Sequence, residues 1–196
     1  MSSAEALWTK WQVEPFLDKI TSYLESRTNI KISGLEIDHI CYRCESIEEY
    51  LLVTAELATL GKLLVEGMIG GRPISTIELN EPIIYKHWKI PCIEVPCPKT
   101  GRSYKSGLEH AEIVIGSPTS STPFESKEFL LEFVTKHSSP DIQFDCRAID
   151  KHINADVSLS IDEDVSVKFH LTGLKEVCKH ERDSGEVVPV PKGYFE

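Results

Sequence analysis

The chain has 196 residues, 41% hydrophobic and 27% charged, the composition of a globular domain that buries roughly 70% of its unfolded surface. Its 21 Lys and Arg against 31 Asp and Glu leave a formal net charge of −10. With no basic cluster in the sequence, that balance disfavours nucleic-acid phosphates and anionic membrane surfaces as partners. No apolar run approaches the roughly 18 residues that span a bilayer. The opening MSSAEALWTKW lacks the basic-then-apolar pattern of a secretory signal, which implies a cytoplasmic protein.

The first elements are helical. Leu7, Trp8 and Trp11 form one apolar set, and Phe16, Ile20, Tyr23 and Leu24 form a second at helical spacing. Pro15 between them suits the start of a second helix, so residues 1–30 read as a helical extension. After Gly34 the pattern alternates, and residues 35–44 read as a strand. Ser46 and Glu49 then make a capping box that opens a helix over about 46–60. Strand-type runs follow at 63–69, 74–79 and 88–95, before the polar loop KTGRSYKSG.

The same order then repeats. Residues 109–115 read as a strand, and Thr122-Pro123-Phe124-Glu125 reads as a second capping box with a helix to about His137. Three strand candidates follow, at 142–147, 156–161 and 165–170. Two modules, about 35–98 and 108–170, therefore share the order strand, helix, strand, strand, strand. The reading is an α+β domain over 31–178 with paired βαβββ modules forming a cupped mixed sheet. Residues 179–196, rich in Pro, Gly and charge, read as a flexible tail.

Each module opens with an acid followed by histidine: Asp38-His39 and Glu109-His110. Alternation along a strand sorts side chains by face. It puts Ile37, His39, Cys41 and Arg43 on one face of the first strand, and His110 and Glu112 together in its counterpart. Glu94 points away from Ile93 and Val95, and His170 points away from Val167 and Phe169. If these polar faces converge, His39, Glu94, His110 and His170 form a shell for a divalent metal such as Zn, Fe(II), Ni, Co or Mn. The six cysteines read as free thiols in a reducing compartment. Cys41 and Cys44 have the CxxC spacing, but on a strand they point to opposite faces and do not converge on an ion.

These residues have a family context. IDHICYRC (37–44), GMIGGRPI (67–74), ELNEPI (78–83), HWKIPCIEVPCP (87–98), GLEHAEIVI (107–115) and SVKFH (166–170) resemble the YecM family. That family lies within the vicinal oxygen chelate superfamily, beside glyoxalase I, methylmalonyl-CoA epimerase and extradiol dioxygenases. The resemblance implies a cup around a divalent metal and carries over onto His39, Glu94 and His110. At the fourth position, where glyoxalase-like relatives present a glutamate, Lys168-Phe169-His170 places a histidine. Glu112 or a metal-bound water would then serve as the catalytic base. Arg43, Arg72 and Lys168 are candidates for binding a small anionic, oxygen-chelating substrate. The implied function is a metal-dependent lyase, isomerase or dioxygenase; the alternative is a non-catalytic ligand-binding or interaction domain that keeps the fold.

Overall fold

The computed structural model describes residues 3–116 and 127–196. Helix α1 (Ser3–Lys10) meets α2 (Val13–Arg27) at Gln12, whose left-handed backbone (φ 55°) reverses the chain. Phe16, Leu17, Ile20 and Leu24 recur at helical spacing and are buried, so α2 presents one apolar stripe to the sheet. Trp11 stacks on Tyr42 with ring centroids 4.2 Å apart, which ties the helical extension to the first strand.

The first module contains β1 (Glu36–Arg43), α3 (Ile47–Ala58), β2 (Gly61–Ile69), β3 (Arg72–Tyr85) and β4 (Trp88–Pro96). The capping box at Ser46 is present: Ser46 Oγ accepts from Glu49 N at 3.1 Å. Glu49 reaches back, but its carboxylate accepts from Glu45 N at 2.7 Å, one residue earlier than the usual reciprocal bond. The second module contains β5 (Gly107–Val114), α4 (Lys127–His137), β6 (Asp156–Ser160) and β7 (Ser166–His170). The second capping box, at residues 122–125, lies outside the described residues.

The strands form one seven-stranded mixed sheet in the order β2-β3-β4-β1-β5-β7-β6. In each module the first strand runs parallel to the last, β1 beside β4 and β5 beside β7. The two opening strands pair antiparallel at the centre and join the halves. This is the α+β paired-module architecture expected from the repeated element order. One strand candidate does not form. Residues 142–147 make only isolated bridges, including Asp145 to Ser158, so the second module has three strands among its described residues.

Helices α1 to α4 cover one face of the sheet, packing on Ile40, Ile93, Ile113, Val167 and Phe169. The other face is partly filled by α5 (Leu174–Ser184), a helix the sequence reading did not foresee. Leu174 and Cys178 pack against Leu64, Val65 and Cys92 there. The boundary drawn at 178 thus falls inside this helix. Beyond it, Val188 O accepts from Met68 N at 2.8 Å and Phe195 stacks on Tyr50.

The β1–β5 ladder breaks register twice. Ile37 pairs with Ile113 but His39 pairs with Glu112, leaving Asp38 as an extra residue in β1. Cys41 pairs with His110 but Tyr42 pairs with Leu108, leaving Glu109 as an extra residue in β5. Each is a β-bulge, which re-aims side chains that strict alternation would separate. The strict alternation used on the sequence is therefore corrected. Ile37 packs in the core with Ile113, while Asp38 joins His39 on the opposite face.

Candidate metal centre

The central strands bring three histidines and two carboxylates into one buried cluster. His39 and His170 are 0% exposed and His110 is 4% exposed; Asp38 and Glu112 are each 3% exposed. Glu112 is the hub. Its Oε1 lies 3.5 Å from His39 Nε2 and 3.3 Å from His110 Nε2, and its Oε2 lies 3.3 Å from His170 Nδ1. Lys168 Nζ, on the neighbouring β7, donates to the same Oε1 at 2.7 Å.

The histidines are not equivalent. His170 Nε2 lies 3.0 Å from Asp38 Oδ1 and its Nδ1 lies 2.8 Å from Asn154 Oδ1, so both ring nitrogens have partners. Both nitrogens of His39 and both of His110, with Glu112 Oε2, lack a hydrogen bond although buried. Their carboxylate neighbours lie within ion-pair distance but not in line for hydrogen bonds. Buried polar groups are nearly always satisfied, so unpartnered imidazole nitrogens converging on a carboxylate ask for an acceptor of their lone pairs. The ligand atoms of His39, His110 and Glu112 all lie within 4.8 Å of one another, as do those of Asp38, His39 and His170. A third set, Cys41, Glu109 and His110, shares the same spacing at the rim. These residue types and this spacing fit a divalent metal.

In the metal-free cluster the neighbouring charges favour the ionised forms. Burial alone would raise the Asp38 carboxyl, but His170 and His39 hold it well below its ordinary 3.8. Burial would likewise raise Glu112, yet Lys168, His39 and His110 hold it well below 4.5. Burial works against the imidazolium of His39, but Asp38 and Glu112 outweigh it and raise its pKa well above 6.5. His170 is raised in the same way, with Asp38 as the largest opposing influence.

Of the residues singled out in the sequence, Glu94 sits at the edge of the cluster, its Oε1 3.9 Å from His110 Nε2. Lys168 is inside it. Arg43 is one step removed: it is paired with Glu109, whose Oε2 lies 3.9 Å from His110 Nδ1. Arg72 has a buried Nε without a hydrogen bond, and its guanidinium lies 6.0 Å from the Tyr104 ring. Neither arginine takes part in the ion pairs of the histidine cluster. The sequence reading missed Asp38 as a partner of His170, although the repeated acid-histidine pair was a signal for it. Asn154 and Tyr104 stand in loops and carried no signal.

The family model described as "YecM protein" matches residues 4–181. The chain belongs to the YecM family. Among curated relatives, Protein YecM of Escherichia coli (strain K12) is 38% identical over 96 residues, covering 48% of this chain and 51% of that one. An uncharacterized protein of Haemophilus influenzae is 31% identical over 114 residues, covering 58% and 56%. The matched stretches therefore span about half the length of these curated relatives. A solved structural-genomics protein, Protein EC4020, shares the fold over 92% of this chain and 94% of its own, with TM-score 0.72 at 24% identity. A solved methylmalonyl-CoA epimerase aligns over 69% and 93% of the two chains, with TM-score 0.43 at 12% identity. No helix among the described residues of this YecM-family chain is long and apolar enough to cross a membrane.

Proposed function

We propose that this YecM-family chain is a divalent-metal protein that binds a small, oxygen-chelating anion, with His39, His110 and Glu112 as the protein ligands. One observation carries the reading: buried imidazole nitrogens of His39 and His110 lie without hydrogen bonds around a buried carboxylate. A metal held by two histidines and one carboxylate keeps positions open and polarises an oxygen bound there.

The remaining residues then have separable tasks. Asp38 bonds His170 and sits 3.2 Å from His39 Nδ1, which places its charge beside the imidazole whose Nε2 lies 3.5 Å from Glu112. Glu112, buried, with its two oxygens 3.3–3.5 Å from three imidazoles and Lys168 on Oε1, is enclosed by the cluster and is placed as a ligand. Glu94, with a partly exposed side chain 3.9 Å from His110, is the better placed group to carry a proton at its carboxylate. This exchanges the roles that the sequence pattern suggested for Glu94 and Glu112. A reaction of the lyase, isomerase or dioxygenase type would follow from the metal bound.

One observation favours the alternative of a non-catalytic binding domain. Lys168 already donates to Glu112 Oε1, the oxygen that faces both histidines, and supplies positive charge at that point. Calorimetric titration of chelator-treated protein with Mn(II), Ni(II) and Zn(II) tests the metal centre, and ligand binding without turnover would mark the non-catalytic alternative. The metal reading expects one saturable site for at least one of these ions, abolished in His39→Ala and His110→Ala variants that remain folded. No saturable site for any of them overturns it.

A further inference from the structure

A cavity of about 590 Å³ opens at the end of the β1–β5 ladder, between α1–α2, residues 103–106 of the inter-module linker, and the β6–β7 turn. Trp11, Phe16, Leu108 and Val165 supply apolar wall, and Tyr104 adds an aromatic face. Its size falls within the roughly 300–1,000 Å³ of small-molecule sites. Three cations line it. Lys19 and Lys105 stand at the rim, 47% and 80% exposed, and each is paired with an aspartate.

Arg43 is the sheltered one, 24% exposed. Glu109 takes its Nε at 2.5 Å and its Nη2, which leaves the Nη1 edge of the guanidinium for a second acceptor. The Tyr104 ring lies 4.7 Å from the guanidinium carbon and fixes its plane. Glu109, Glu163 and Asp164 also line the cavity, so a polyanion is repelled and a single negative charge is tolerated.

We propose that this cavity binds a monocarboxylate with an apolar, ring-sized body, its carboxylate seated on the Nη1 edge of Arg43. A planar fork recognises a carboxylate, and the walls bury the rest. Glu109 joins this arginine to His110, so the ligand lies one ion pair from the histidine cluster. Taking the ligand as a substrate of the metal centre rests on the proposed function; binding in the cavity does not.

The test is calorimetric titration of the chelator-stripped chain with 3-phenylpropionate and with its amide. The proposal expects one saturable site for the carboxylate, with the amide at least about tenfold weaker, the loss of one charge-assisted fork. Arg43→Gln weakens carboxylate binding by a similar factor, whereas Lys105→Ala at the rim changes it less than about twofold. If Arg43→Gln does not fold, Tyr104→Ala, in the linker, supplies the second reading with a several-fold loss. No saturable binding, equal affinity for the amide, or wild-type affinity in the variants overturns the cavity. The same stripped protein is titrated with Mn(II), Ni(II) and Zn(II) in parallel: failed ligand binding beside a saturable metal site removes only this cavity, and intact ligand binding with no saturable site for any of the ions removes only the metal centre.

Discussion

Asp38 and Glu109 occupy equivalent places in the two modules: each is the unpaired residue of a bulge in the β1–β5 ladder, and each directly precedes a histidine of the cluster. The two bulges turn both acids onto the face that carries the histidines. Asp38 reaches His39 and His170, while Glu109 reaches His110 and Arg43. The approximate two-fold symmetry of the modules is thus repeated in their irregularities, and the irregularities are what assemble the charge network.

Asp38 is predicted to be the most stabilising single side chain of that network. It accepts from the Leu174 backbone N at 2.6 Å as well as facing two histidines, so it also fixes the start of α5. Asp38→Ala removes the carboxylate from two buried imidazoles, which costs about 3–5 kcal/mol. Urea unfolding of the metal-free protein measures this, and a loss below about 1 kcal/mol contradicts it.

A metal at the proposed site would compete with Lys168 for Glu112 Oε1. Lys168→Met is predicted to tighten metal binding by about tenfold or more while lowering the stability of the metal-free protein, because Glu112 loses its buried counter-charge. Metal titration and thermal melting of the same variant read the two effects. Unchanged metal affinity would assign Lys168 to holding Glu112 rather than to occupying the ion's place.

The pH response of the metal-free and metal-loaded forms should have opposite signs. The raised pKa values of His39 and His170 mean that their contribution is complete below 6.5 and is lost as pH climbs through the raised folded values. Asp38 and Glu112 are lowered, so their contribution is present above 3.8 and 4.5 and disappears as pH falls through the depressed folded values. The metal-free protein therefore loses stability on both sides of a window between those limits. A metal needs neutral imidazole, so its stabilising increment grows with pH. Melting curves with and without metal between about pH 6 and 8.5 check this, and increments that shrink with rising pH contradict it.

Thiol reactivity should be confined to one cysteine. Burial, the largest influence on each, pushes Cys97 up to about 11 and Cys92 and Cys178 up to about 12. Cys41 and Cys44 are also buried and raised; burial and the Asp145 charge raise Cys146 too, but it alone is only half-buried and open to reagent. At pH 8 iodoacetamide should label Cys146 well before the other five, as peptide mass mapping will show. Early labelling of Cys92 or Cys178 would mean that α5 leaves the sheet.

Much of this was legible in the sequence because two independent patterns agreed. Repeated element order gave the modules, and Asp38-His39 and Glu109-His110 marked their opening strands. Side-chain direction was harder, since alternation holds only in a regular ladder; the bulges at Asp38 and Glu109 leave no signature in residue type. Helix α5 was missed because Leu174, Val177 and Cys178 are its only buried positions, in a segment otherwise charged. Its docking depends on Leu64, Val65 and Cys92, far away in the chain. The choice between Glu94 and Glu112 likewise depends on how neighbouring strands are offset, which a single strand cannot reveal.

The most direct test of the central claim is elemental analysis of untagged protein purified without chelator, beside Glu112→Gln and Glu94→Gln. The proposed ligand set predicts close to one equivalent of divalent metal in the parent chain, lost in folded Glu112→Gln and retained in Glu94→Gln. Metal lost from the Glu94 variant and kept in the Glu112 variant would contradict that ligand set, and a metal-free parent that binds none when it is added would contradict the metal centre itself.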